Sequence, residues 1–140
     1  MEDLEKLIGC LLARLDRGRR RYLANALEGT GLRGPMHRYL LLLSTNPGAS
    51  QEFLAESLQM EKGNNARFAK ELEDLGFIKR EPDLSNRRQY KIYLTEKGNS
   101  LLPQIQSALS DWNKAASKGL SLQEQEALAG LLRRMAENVV

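Results

Sequence analysis

The stretch DLSNRRQYKIYLT, from Asp83 to Thr95, constrains the fold more than any other part of the chain. Pro82 and the turn formers Asp83, Ser85 and Asn86 precede two adjacent arginines, Arg87 and Arg88. Tyr90, Ile92 and Leu94 then alternate with Lys91 and Tyr93, the period-two pattern of a half-buried strand. With FIKRE in front of the turn, the segment predicts a β-hairpin with a basic tip. Adjacent like charges repel and neither arginine suits a core, so the tip calls for a partner outside the chain.

The segment before the hairpin reads as two short helices. Ser50 is placed to cap the first, which carries Phe53, Leu54 and Leu58. A tight turn at Gln59-Met60-Glu61 leads to a second helix over about Lys62 to Leu75, with Phe68, Ala69 and Leu72 on one side and Gly76 at its C-terminal stop. Two short helices joined by so few residues predict a helix-turn-helix.

Longer amphipathic helices flank this centre. Leu4, Leu7, Ile8, Leu11, Leu12 and Leu15 recur every three or four residues in a helix expected to run to about Leu27. Gly29, Gly31 and Gly34 then mark a loop. Pro35 suits the first turn of a helix that carries Tyr39, Leu40, Leu42 and Leu43 and ends before Asn46-Pro47-Gly48. After the hairpin, Thr95 caps a helix with Leu101, Ile105, Leu109 and Trp112, in which Pro103 predicts a first-turn position or a kink. Ser121 and Glu124 match a capping box, and Leu128, Leu131, Leu132, Met135 and Val139 stripe the last helix. The expected fold is mainly α with a small β-hairpin wing: one domain over 1–140, with a winged lobe at about 35–95 and flanking helices at about 1–30 and 96–140.

Composition narrows the function classes. The chain has 140 residues, one cysteine, one histidine and a formal net charge of +3. A single cysteine allows no internal disulfide and fits a reducing compartment. Cys10 and His37 alone cannot build a tetrahedral zinc site, and no nucleophile–base motif points to an enzyme. No cofactor is expected. The start MEDLEKLIG lacks the basic and apolar regions of a signal peptide, and no apolar run approaches the roughly 20 residues of a membrane span. A cytoplasmic location is expected, with no membrane partner.

A helix fits the major groove of duplex DNA, where side chains can read base pairs. A basic hairpin tip can reach the neighbouring minor groove, where arginine is favoured over A·T tracts. On the helix over 62–75, Asn64 and Arg67 are the expected base readers, since Asn pairs with adenine and Arg with guanine. Lys62 and Lys70 are expected on phosphate, and Gly63 allows close approach of the backbone. Ser50 and Gln51 open a helix whose free N–H groups favour a phosphate, although capping alone explains Ser50.

The residues LAESL (Leu54–Leu58), LEDLG (Leu72–Gly76) and the wing pattern D-x3-RR…LTxxG from Asp83 to Gly98 resemble the DNA-binding core of the MarR family of transcriptional regulators. The likeness extends over nearly the whole chain. It implies a homodimer built on the terminal helices, a pseudo-palindromic double-stranded DNA partner, and a small-molecule effector bound between dimer body and lobe. His37, Tyr39 and Trp112 are candidate lining residues there, but Tyr39 and Trp112 are more often core residues and a lone His on a helix is usually structural, so no ligand site is assigned. It matches Arg88 to the minor-groove arginine and leaves Arg87 for phosphate. Two positions depart from the pattern. Asn65 fills a slot that is usually apolar, where an amide either sits half-buried with a hydrogen-bond partner or turns toward DNA, and the DNA edge is the expectation. Asn86 stands where an acid usually holds the wing arginine, so either that arginine is held less rigidly or Asp83 substitutes, and which of Arg87 and Arg88 enters the minor groove stays open.

Two further readings remain open. Cys10 lies in the helix where some relatives sense hydroperoxides, so a thiol-based redox regulator is one alternative; a winged-helix protein-interaction module is another. The cluster Arg17, Arg19, Arg20 and Arg21 is the densest positive charge in the chain and is expected to be a solvated helix face.

Overall fold

The computed structural model describes residues 3–139. The expected span 1–140 exceeds it at Met1, Glu2 and Val140, which lie outside the described residues. Helix α1 (Leu4–Ala26) starts where the Asp3 carboxylate accepts from the Glu5 N–H. The α1–α2 loop that follows carries three glycines with positive φ, at 29, 31 and 34. Pro35 caps α2 (Met36–Thr45) from just outside its first turn.

The helix-turn-helix forms as its residues predict. Ser50 Oγ accepts from the Phe53 N–H at 3.0 Å and starts α3 (Gln51–Leu58). Gln59, in the left-handed conformation at φ 53°, makes the turn into α4 (Lys62–Asp74). Strands β1 (Ile78–Pro82) and β2 (Tyr90–Leu94) pair antiparallel, with Arg80 opposite Ile92 and Pro82 opposite Tyr90. A third short partner, which no local pattern predicts, joins them. Gly48 donates to the Ile92 carbonyl at 2.9 Å and Ile92 donates to the Ala49 carbonyl at 3.0 Å, so the α2–α3 loop extends the sheet.

Helix α5 (Glu96–Ala116) contains Pro103 in its eighth position. This corrects the first-turn expectation: the helix assignment continues through the proline, whose missing N–H leaves the Asn99 carbonyl without its usual donor. Helix α6 (Leu122–Asn138) opens with the expected capping box, Ser121 and Glu124 each accepting from the other's N–H.

The core is central to the lobe. Leu23 and Leu27 from the first helix and its cap meet Tyr39, Leu40 and Leu43 of α2, Leu54 of α3, Ala69 and Leu72 of α4, Ile92 of the sheet and Ile105 of α5. By contrast, Leu11, Leu15, Leu128, Leu131 and Met135 of the terminal helices are exposed, and α6 has no buried residue. No helix among the described residues is long and apolar enough to cross a membrane.

One junction sets the wing against the body. Thr95 Oγ1 donates to the Gly76 carbonyl at 2.6 Å and accepts from the Gly98 N–H at 3.1 Å, capping α5. Gly98 then lies so close to the hairpin that an added Cβ would stand 2.2 Å from the Phe77 carbonyl oxygen. This is the physical content of the LTxxG motif. Replacing Gly98 with alanine must push α5 away from β1, and overpacking of this kind costs about 1–3 kcal/mol. We expect Gly98→Ala to lower the urea midpoint accordingly, whereas Gly130→Ala, whose Cβ meets nothing within 4 Å inside α6, should hold or raise it through helix propensity.

Candidate nucleic-acid interface

Helix α4 presents one polar face. Ala69 and Leu72 seal the opposite side into the core, and this orientation turns Lys62, Gly63, Arg67 and Lys70 out to solvent, with Asn64 half-exposed. The Arg67 guanidinium bonds the Asn64 amide oxygen one turn back. The two expected base readers are therefore one coupled unit, and Arg67 fixes which end of the Asn64 amide is free to donate. Lys70 pairs with Asp74 at 3.0 Å, but both are well exposed, so the pair contributes little and leaves the ammonium available.

Asn65 does not reach the DNA edge. It is 2% exposed, and its amide N–H donates to the Gln51 carbonyl at 2.8 Å. The reason is helical phase: Asn65 shares the face of Ala69 and Leu72. It pins α4 to the first residue of α3, so its part in the interface is to set the angle of the polar face. Its amide oxygen has no partner among the described residues.

At the wing tip the structure takes the first of the two alternatives, an arginine that no acid among the described residues holds. Asp83 forms no ion pair with Arg88; its carboxylate accepts from the Ser85 N–H (2.9 Å) and hydroxyl (2.7 Å). Those bonds hold the carboxyl below its ordinary range. Asn86, in the slot of the usual acid, accepts from the Arg88 backbone N–H at 3.2 Å. Asp83 and Asn86 thus shape the turn, and the side chains of Arg87 and Arg88 project freely from it.

Two hollows flank α4. On the wing side, Ser50, Gln51, Lys62, Asn65 and Arg88 come together around a groove of about 390 Å³. The start of α3 lines it together with Lys62, Arg88 and the acidic Glu52, and within this mixed lining the free N–H groups of α3 and Lys62 suit a backbone phosphate. On the other side, Arg33, Asn64, Arg67 and Phe68 line a hollow of about 210 Å³. Arg33 is the residue that sequence reasoning missed. It comes from the glycine-rich α1–α2 loop, donates to Glu71 of α4 at 3.0 Å and lies 5.3 Å from the centre of the Phe68 ring. Only the tertiary fold brings it to α4, and its spacing in the chain carries no signal.

A second clasp joins α4 to the wing. Arg80 of β1 grips Glu73 of α4 through two bonds of 2.9 and 3.0 Å, both side chains being mostly covered. The paired guanidinium lowers the Glu73 carboxyl and the carboxylate raises Arg80, so both stay charged. Arg80 also lies over Tyr90 at 5.6 Å.

The remaining candidates lie away from α4. Cys10 is exposed on α1, a helix that packs chiefly on α5. Arg17, Arg20 and Arg21 are exposed, while Arg19 is half-buried 5.8 Å from the centre of the Trp112 ring. His37 and Tyr39 are buried on α2. Burial lowers the affinity of His37 for a proton and pushes the Tyr39 phenol up.

A helix-turn-helix with an exposed polar second helix, next to a hairpin with free arginines at its tip, defines a winged-helix DNA-binding protein. The chain belongs to the MarR family of transcriptional regulators. The family's sequence profile matches residues 35–90. Over 140 aligned residues the chain is 31% identical to YybA, an HTH-type transcriptional regulator of Bacillus subtilis (strain 168), covering 99% of this chain and 90% of that protein. Its fold is similar to that of a MarR transcriptional regulator from Methanosarcina mazei Go1, at TM-score 0.87 and 29% identity over 95% of this chain and 96% of the other. It is similar as well to the transcriptional repressor CouR bound to a 23-mer DNA duplex, at TM-score 0.86 and 26% identity over 97% and 96% of the two chains.

Two expectations separate support from contact. Asn65→Ala strips the Gln51 carbonyl of its donor in a buried site and should destabilise the lobe by about 1–3 kcal/mol, read from the urea midpoint. Arg67→Ala should leave that midpoint within about 0.5 kcal/mol of wild type and relax base preference at one operator position in a binding selection.

Proposed function

We propose that the chain is a cytoplasmic, ligand-responsive repressor that acts as a homodimer on a pseudo-palindromic operator. The observation that carries this reading is the uncovered apolar stripe of the terminal helices. Ile8, Leu11, Leu12 and Leu15 on α1 and Leu128, Leu131, Leu132 and Met135 on α6 are all exposed in the single chain. Contiguous apolar surface of this kind calls for a cover, and a second copy offers the same stripes in a two-fold arrangement. Two recognition helices held about one helical turn apart would then read two half-sites. Asn64 and Arg67 read bases, Arg88 enters the minor groove, and Lys62, Lys70, Arg87 and the start of α3 at Ser50 and Gln51 meet phosphate.

The effector, a small apolar or phenolic compound, would act where α1, α2 and α5 converge. There the buried His37 bonds the Gly34 carbonyl through Nδ1 at 3.3 Å and has no partner for Nε2 among the described residues. Arg19 lies against Trp112 in the same region. A bound compound would change the spacing of the lobes, and so the affinity for the operator, by its differential affinity for the two arrangements.

The test is selection from a random duplex library at two salt concentrations, paired with sedimentation. Wild type should sediment as a dimer and enrich a palindrome at both salts. Leu131→Glu should sediment as a monomer and bind the selected operator about a hundredfold more weakly, because two linked half-site contacts become one. A wild-type monomer, or enrichment of a lone half-site, would overturn the proposal. For the wing, Arg88→Ala should weaken binding most on A·T-rich flanks and flatten the dependence on salt.

A further inference from the structure

Leu84 is 96% exposed, more than any other large apolar residue among those described. A lone exposed leucine is ordinary on a protein surface and needs no explanation. This one differs in how it is held and in where it stands. The exposed leucines of α1 and α6 belong to stripes of like residues, whereas Leu84 stands apart from them at the end of the hairpin, between Asp83 and Ser85.

The tip is bonded on both sides of it. Asp83 donates its N–H to the Gln89 carbonyl at 3.1 Å and accepts from the Asn86 N–H at 3.2 Å through its own carbonyl. Its carboxylate takes both donors of Ser85, and Gln89 donates back to the Asn86 carbonyl at 3.0 Å. Leu84 follows the residue that anchors this network, so its side chain projects from a closed, pre-ordered turn. Little conformational entropy remains to be lost when it meets a surface. The bonding also keeps the Asp83 carboxylate occupied within the turn, and Arg87 and Arg88 follow within four residues. An apolar point followed by two cations on a narrow, bonded tip fits a minor groove better than a protein surface. Its charges suit the phosphates on either side, and its apolar end suits the space between base pairs.

We propose that Leu84 is an apolar wedge that enters the minor groove with the wing arginine, opens a base step and bends the operator. The partner step is a flexible pyrimidine–purine step within an A·T-rich flank, where opening costs least. Leu84 would then favour sequences that deform easily at a position where no hydrogen bond reads a base. This inference rests on the proposal that the wing meets the minor groove.

The probe is the selected operator with 2-aminopurine at the flanking step, whose fluorescence rises when the base unstacks. Wild type should raise the signal and bend the duplex. Leu84→Ala should abolish the rise, reduce the bend and weaken binding roughly tenfold, with the salt slope unchanged because no phosphate contact is lost. Leu84→Met, which restores apolar bulk, should recover most of the signal. Leu84 makes no core contact, so the variants should fold as wild type does. Arg88→Ala separates the two readings. If Arg88→Ala weakens binding and Leu84→Ala changes neither fluorescence nor affinity, the wedge is overturned and the wing contact stands. If neither variant changes binding, the wing does not meet DNA and both readings fall.

Discussion

The approach of Gly98 to the Phe77 carbonyl is the contact on which the rest of the arrangement depends. A Cβ at that point would lie 2.2 Å from the oxygen, so no other residue allows α5 to start against the hairpin. Thr95 reinforces the junction from both directions, donating to Gly76 at the end of α4 and capping the first turn of α5. Three elements are fixed by one cluster of backbone groups. The recognition helix ends there, the wing begins and closes there, and the long helix leading towards the C-terminal stripe leaves from there. Any movement of the body through α5 therefore reaches α4 and the wing together.

Within the lobe, α4 is held along its length by polar contacts of different strength. Asn65 ties its start to α3, and the Arg80–Glu73 pair ties its end to β1. Arg33 reaches its outer side from the α1–α2 loop through Glu71, but that pair is largely exposed. Both pairs are bidentate, so the covered one is the stronger constraint because it has less water to compete with. The recognition helix and wing thus move as one body, while the Arg33 contact is the one that a passing phosphate can compete for. The residues proposed to meet DNA do not hold themselves in place; a second set, facing inward, sets their angle.

The parts of this that were legible in the sequence are those written in local pattern. Ser50, Thr95, Ser121 and Glu124 cap helices where their spacing says they should. The alternation from Tyr90 to Leu94 gives the strand and its one buried residue, Ile92. The three motif elements led to the family as well. What failed was anything decided by phase or by distant contact. Asn65 is polar by type but lies on the buried face of α4, where the phase of Ala69 and Leu72 places it. The charge of Asp83 leaves a pair with an arginine open, and only the folded turn decides against it, because Ser85 is nearer and offers two donors. Arg33 lies 38 residues from Glu71 in the chain, and the Ala49–Ile92 bridge spans a similar gap. No local pattern encodes such pairings.

The division between a rigid lobe and uncovered terminal helices has a consequence for control. The selectivity of the proposed dimer depends on two things: which bases each α4 reads, and how far apart the two copies of α4 stand. The first is fixed by Asn64, Arg67 and the contacts that hold them, and all of these lie within one chain. The second is set by α1, α5 and α6, which contribute nothing to base reading. A compound bound near His37, between α1, α2 and α5, touches only the second. It would weaken operator binding while leaving each half-site's base preference intact, because Asn65 and the Arg80–Glu73 pair carry α4 and the wing as one body when α5 moves. That separation makes it possible for the effector site to diverge without disturbing the code read by the recognition helix.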